Sequence, residues 1–161
     1  MGLEAGDVAI TRDPRGVPWA SVDGRRIPLS LSHADGWAAA AAHLRRCVGI
    51  DVEPARELPP RFSRYFLSGD EETAVDGWED PSTSLLAAWT VKEAVLKATG
   101  RGLSVPPSRV VIRSMGAQGV TATVDGRDVG AACWREEDSV VAVACAGTRD
   151  LPELSISRGA M

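Results

Sequence analysis

Residues 89–97 read Trp-Thr-Val-Lys-Glu-Ala-Val-Leu-Lys and hold the only two lysines of this 161-residue chain; its other basic residues are arginines. Glu93 and Lys97 stand four apart in what reads as one helix. They share a helix face, so an acid and an amine can point at one ligand. Lysine can give up or take a proton when its surroundings shift its pKa, whereas arginine stays charged. An exposed i, i+4 ion pair is the plain alternative, and such pairs contribute little to stability.

A second acidic group lies upstream, in Val48-Gly49-Ile50-Asp51-Val52-Glu53. Apolar and other residues alternate with the period of a strand, which puts Asp51 and Glu53 on one sheet face. Two adjacent carboxylates repel unless a cation or a proton lies between them. Hard divalent ions take oxygen ligands, and Mg²⁺ commonly uses one or two carboxylates with phosphate oxygens and water. Pro54 follows at once, so the strand ends with both carboxylates at its mouth. For Asp-x-Glu alone, the solvated face of an edge strand is the competing reading.

The elements that must position these groups follow from local signals. Asp23-Gly24 lies between Trp19–Val22 and Ile27–Leu31, a hairpin pattern. Residues 37–44 are alanine-rich, which by propensity also suits a helix. Pro59-Pro60 opens a short helix through Phe62, Tyr65 and Phe66. Ser68-Gly69-Asp70-Glu71 reads as a capping box. Pro81-Ser82 begins the long helix, with Leu85, Ala88, Trp89 and Leu96 as its packing stripe and Gly100 as its stop. Val110–Ile112, Val120–Val124, Val129–Trp134 and Val140–Cys145 form a strand meander, with Asp125-Gly126 at one turn. The class is α+β, with helices inserted between sheet elements. Residues 1–147 form one domain, and 148–161, which lack periodicity, read as a disordered tail.

Composition agrees. A chain of this length buries roughly 70% of its unfolded surface, enough for one core without staples. The net charge of −4 argues against a general nucleic-acid or membrane-surface binder. Cys47, Cys133 and Cys145 make no C-x-x-C pair, which suggests reduced, mostly buried thiols in a cytoplasmic protein. No signal peptide pattern is present, and the longest apolar run is too short to span a bilayer.

The motif segments, with Ser30-Leu31-Ser32-His33 before them and Gly100-Arg101-Gly102-Leu103-Ser104 after, resemble the 4′-phosphopantetheinyl transferases, in particular the surfactin-synthetase-activating type. The resemblance runs from about residue 14 to residue 147. It places a β-ribbon at 37–44 in preference to a helix. It implies an antiparallel sheet with a long helix packed on it, one full half plus a remnant of a pseudodimer. It also implies transfer of the phosphopantetheine arm of coenzyme A to a serine of an apo acyl- or peptidyl-carrier protein. By this resemblance Asp51, Glu53 and Glu93 hold Mg²⁺, and Glu93 takes the serine proton. Lys97 binds the phosphates, and Ser32 and His33 contact the nucleotide side of coenzyme A, with His33 toward the 3′-phosphate. Lys92 belongs to the motif as a coenzyme-binding or structural lysine. Arg12, Arg15, Arg25 and Arg26 lie upstream of His33 and can meet a phosphate bidentately; Arg15 is carried as a candidate. Trp89 reads as helix packing rather than a base-stacking residue, and His43 as a turn residue.

One departure bears on the site. About fifty residues precede Asp51, half of what the pseudodimeric type has there, and Gly16-Val17-Pro18 stands where a Gly-[Lys/Arg]-Pro element is usual. The missing cations are expected to come from a homo-oligomer, trimer or dimer, with the site near the subunit boundary, or from neighbouring domains. Two other classes stand beside the transferase: a non-catalytic relative that binds coenzyme A or a carrier, and a metal nuclease of the D…E-x-K sort. The nuclease needs E-x-K on a strand, and this chain has E-x-x-x-K on a helix.

Overall fold

The computed structural model describes residues 8–34, 36–116 and 119–149. Two antiparallel sheets are present. The first is a four-stranded ribbon of β1 (Ala9–Arg12), β2 (Pro18–Val22), β3 (Arg25–Ala34) and β4 (Trp37–Ala42), in that order. The second has five strands: β5 (Val48–Pro54), β6 (Val110–Gly116), β7 (Gly119–Val124), β8 (Arg127–Glu136) and β9 (Ser139–Ala146), ordered β5-β9-β8-β7-β6. Asp23 and Gly24 both take positive φ, as do Asp125 and Gly126, which is what the two-residue hairpin turns at these places require. Residues 37–44, helix-prone by composition, are strand from Trp37 to Ala42 because β3 offers an edge to pair with.

Between β5 and β6 lie a 3₁₀ segment (Pro60–Tyr65), helix α1 (Gly69–Val75), a 3₁₀ turn (Pro81–Thr83) and helix α2 (Ser84–Ala98). α2 ends in a Schellman motif: Gly100, at φ 66°, donates its N–H to Lys97 O, and Arg101 donates to Leu96 O. The α2 stripe expected from sequence is too narrow. Leu86, Ala87, Ala88, Val91, Ala94, Val95, Leu96 and Ala98 are all buried, while Leu85 and Trp89 are only partly so. The helix lies against the five-stranded sheet, with α1 and the 3₁₀ segment also packed around it, so nearly its whole circumference is interior. Trp89 packs on Phe62 and Phe66, ring centroids 5.8 and 5.5 Å away, as expected for helix packing.

Gly49 sets the distance between β5 and α2. A Cβ there would lie 1.9 Å from the Ala94 carbonyl oxygen and 2.5 Å from the Ala98 nitrogen, so only glycine lets the helix backbone rest on the strand. The opposite face of β5, Ile50 and Val52, packs with Val141 under Trp37, Ala39 and Ala41 of the ribbon.

Of the three free cysteines, Cys145 is buried, Cys133 half-buried and Cys47 exposed, so burial is less general than the composition suggests. His43 sits in a turn, its Nδ1 accepting the N–H groups of Arg45 and Arg46. The expected tail falls mostly on residues 150–161, outside the described residues. Thr148 and Arg149 are tied down: Thr148 bridges to Val129, and Arg149 donates to Asp128. Among the described residues no helix is long and apolar enough to cross a membrane.

Candidate active site

Alternation along β5 puts Gly49, Asp51 and Glu53 on the face toward α2, so the polar face of this strand is its inner face. Asp51 is therefore buried, 6% exposed, and does not stand free at a strand mouth as the sequence suggests. Glu53, one pleat further, keeps a quarter of its side chain exposed and accepts from Arg56 at 3.4 Å. Helical spacing aims Glu93 and Lys97 from α2 into the same region.

Lys97 reaches across to the strand. Its ammonium donates to Asp51 Oδ1 at 2.7 Å, to the Ile50 carbonyl at 3.0 Å and to Ser32 Oγ at 3.1 Å. Three acceptors match its three hydrogens. Ser32 Oγ itself donates to Asp51 Oδ1 at 2.9 Å and accepts the Val52 N–H at 3.3 Å. One residue pair along, Ser30 Oγ accepts the Ile50 N–H at 3.0 Å. These two N–H groups belong to the free edge of β5, which would otherwise be an unpaired edge. The ribbon thus closes that edge with serine hydroxyls instead of a backbone ladder.

Asp51 Oδ2 and Glu93 Oε1 are buried with no hydrogen-bond partner among the described residues. Burial raises the pKa of Glu93 above the usual carboxylate range, and the charges of Asp51 and Glu53 push it further while Lys97 opposes them. An ionised acceptor buried without a donor is costly unless a cation or a proton meets it. Two unpartnered buried oxygens and the half-open Glu53 suit the oxygen-donor demand of Mg²⁺. Among the described residues no three His, Cys, Asp or Glu side chains are grouped closely enough to hold a metal ion as they stand. A Mg²⁺ here would complete its shell with water or substrate oxygens, as that ion commonly does.

The structure brings together Ser32, Asp51, Glu53, Glu93 and Lys97. It does not bring Lys92 to the site, and the expectation of a coenzyme-binding lysine is corrected. Its ammonium is wholly enclosed, donating to Phe66 O and Val110 O at 2.6 Å each and pairing with Glu71 Oε1 at 2.7 Å. With 0% exposure and every hydrogen used, it has no path to a ligand. His33 neighbours Ser32 in β3 but by alternation takes the opposite ribbon face, where it is exposed. Arg15 lies in the β1–β2 turn, exposed and paired with Asp13 at 3.4 Å.

Sequence reasoning missed two contributors. Ser30 is part of the quoted motif, and its spacing of two from Ser32 was the available signal for a shared face. Glu71 was read only as a cap. Its Oε2 does accept the Ser68 N–H and hydroxyl, but its Oε1 accepts the Ile112 N–H and pairs with Lys92.

The family model described as the 4′-phosphopantetheinyl transferase superfamily matches residues 47–146, the segment from β5 to β9. The 4′-phosphopantetheinyl transferase HetI of Nostoc sp. is 33% identical over 113 residues, 65% of this chain and 46% of that protein. The 4′-phosphopantetheinyl transferase gsp of Aneurinibacillus migulanus is 28% identical over 102 residues, 62% of this chain and 41% of that protein. The 4′-phosphopantetheinyl transferase psf-1 of Bacillus pumilus is 32% identical over 85 residues, 50% of this chain and 36% of that protein. The matched part of the chain spans less than half the length of each of these curated relatives. With the family model covering more than half of the chain, and its match starting one residue before the acidic strand and ending with the last strand of the five-stranded sheet, the chain belongs to the 4′-phosphopantetheinyl transferase superfamily.

Proposed function

We propose that this chain transfers the 4′-phosphopantetheine arm of coenzyme A to a serine of an apo acyl- or peptidyl-carrier protein, with Mg²⁺, releasing 3′,5′-adenosine bisphosphate. This is chemistry of the holo-[acyl-carrier-protein] synthase type. The observation that carries the reading is the pair of unpartnered buried oxygens, Asp51 Oδ2 and Glu93 Oε1, beside the Lys97 ammonium.

The serine oxygen attacks the β-phosphorus of the coenzyme's pyrophosphate, the bond to the bisphosphate breaks, and the serine proton must leave. Such transfers depend mainly on positioning and charge stabilisation. Asp51 and Glu93, joined by Glu53 once it turns from Arg56 toward them, would hold Mg²⁺, which would neutralise the pyrophosphate and polarise the phosphorus. Glu93 is the base for the serine proton, directly or through water. Lys97 offers positive charge to the phosphates and must release at least one of its present acceptors to do so. His33 and Arg15 are the candidates for the nucleotide side. The carrier surface is assigned to the exposed Arg56, Arg61 and Arg64 around the 3₁₀ segment, which suit an acidic partner helix.

The deciding assay combines the protein, coenzyme A, Mg²⁺ and a panel of apo carrier proteins, read by carrier mass. A gain equal to the phosphopantetheine arm supports the reading. Coenzyme A binding with no mass gain on any carrier favours the non-catalytic relative. Light scattering during a coenzyme A titration tests the homo-oligomer: binding that weakens on dilution together with the oligomer supports a site at the boundary, and tight binding by a monomer rules it out.

A further inference from the structure

The two oxygens of Asp51 are treated differently. Oδ1 receives two donors, Lys97 Nζ at 2.7 Å and Ser32 Oγ at 2.9 Å, while Oδ2 has none. A carboxylate gripped at one oxygen is fixed in orientation, and its other oxygen is thereby presented. Of the two donors, Ser32 is the better fixed. Its single hydrogen goes to Asp51, and its lone pairs take the Val52 N–H and the Lys97 ammonium. A hydroxyl has one hydrogen and two lone pairs, so Ser32 has no capacity left for a nucleotide.

We propose that Ser32 is a positioning residue for Asp51: it acts on metal binding by fixing Oδ1 so that Oδ2 faces the cation. This rests on the reading of Asp51 as a Mg²⁺ ligand. Partners that orient a ligating carboxylate commonly change metal affinity by about 10- to 100-fold when removed. Ser30 supplies the internal control. It makes the same hydroxyl-to-strand bond one pair along, to the Ile50 N–H, and its one bond to β5 goes to the backbone.

The experiment measures Mg²⁺ binding by calorimetry without coenzyme A, and coenzyme A binding without metal, in the full chain. Ser32→Ala should weaken Mg²⁺ binding by about tenfold or more. The loss should be larger for Mg²⁺ than for metal-free coenzyme A, and Ser32→Thr should restore the metal. Ser30→Ala should lower the melting temperature and keep parental Mg²⁺ affinity. Where Ser32→Ala does not fold, Ser32→Cys keeps the volume and weakens the donor, and the same loss is expected. Unchanged Mg²⁺ affinity in the Ser32 variants, equal losses in the Ser30 and Ser32 variants, or a loss confined to coenzyme A overturns the inference and leaves the proposed function standing. A parent protein that binds no Mg²⁺ overturns the metal reading and this inference with it.

Discussion

Lys92 Nζ stands 2.7 Å from Glu71 Oε1, and the two side chains are 0% and 1% exposed. The pair ties α2 to α1 from inside, one residue before Glu93 on the same helix. Around it the Phe66 and Val110 carbonyls and the Ser68 and Ile112 N–H groups are all satisfied. Breaking one partner of a buried ion pair leaves an uncompensated charge, which typically costs about 3–5 kcal/mol. Lys92→Met should lower unfolding free energy by about that much in urea titration. The double variant Lys92→Met, Glu71→Leu should not recover full stability, because four backbone groups would still lack partners.

The same pair sets an acid limit. Burial opposes the charge on Glu71, but the Lys92 ammonium and the N–H groups of Ile112 and Ser68 outweigh it and hold its pKa below the ordinary 4.5. Burial also opposes the charge on Lys92 and lowers its pKa, with Glu71 resisting. The carboxylate governs below neutrality. Its contribution is complete above pH 4.5 and is lost as pH falls through the lowered folded value. Stability measured from neutrality downward should fall in that acid range, and Glu71→Gln should flatten the fall.

Gly49→Ala tests the approach of helix to strand. Its Cβ would meet the Ala94 carbonyl oxygen at 1.9 Å, a backbone atom that cannot rotate away. Overpacking in cores costs about 1–3 kcal/mol and sometimes more, and the upper end is expected here. The displaced helix should also carry Glu93 and Lys97 off Asp51, so the proposed transfer of the phosphopantetheine arm should drop further than residual folding explains. Thermal melts with carrier mass measurements give both numbers.

Asp51→Ala and Glu53→Ala should separate in stability but agree in activity. Each should lower Mg²⁺-dependent transfer at saturating coenzyme A by ~10² or more, since metal stabilisation of this kind is worth several kcal/mol. Asp51→Ala also removes the carboxylate that pairs with Lys97, whereas the ion pair of Glu53 among the described residues is with the exposed Arg56. Only the first should lower the melting temperature clearly. Full activity in either variant removes that residue from the metal site.

Glu93→Gln keeps size and loses basicity and charge, so turnover should fall by ~10² or more. Lys97→Arg keeps charge but replaces three convergent hydrogens with a planar fork that cannot serve Asp51, Ile50 and Ser32 together. It too should be slow; turnover equal to the parent's would reduce Lys97 to a surface cation.

Much of this was readable from local signals. The two-residue turns at Asp23 and Asp125, the Gly100 stop and the β5 alternation depend on near neighbours, and each appears in the structure. The face assignment of β5 did not follow from alternation. Period two tells which residues share a face, not which face is covered, and the covered one carries Gly49, where the helix closes in. Likewise the capping box placed Glu71 at the start of α1, but its bonds to Lys92 and Ile112 depend on how α1, α2 and β6 pack. Lys92 and Glu93 are adjacent in sequence, yet one is sealed in the core and the other lies at the site. That division depends on α2 being interior on nearly all sides.

The strand order has a consequence for how the site comes into being. β6 to β9 are successive hairpins, each pairing with its neighbour in the chain. Among the described residues β5 pairs in the sheet ladder with β9 alone, Val48 opposite Cys145 and Pro54 opposite Ser139. Closing so long a loop is entropically unfavourable until its far partner exists. The hairpins are therefore expected to form first, with the strand of Asp51 and Glu53 laid on the last of them. In pulse-labelled amide exchange during refolding, Asp51 and the other β5 amides that face β9 should become protected after Val120–Val124. The backbone ladder under the site is complete only once β9 exists, so a nascent chain should gain it only after β9 has been synthesised.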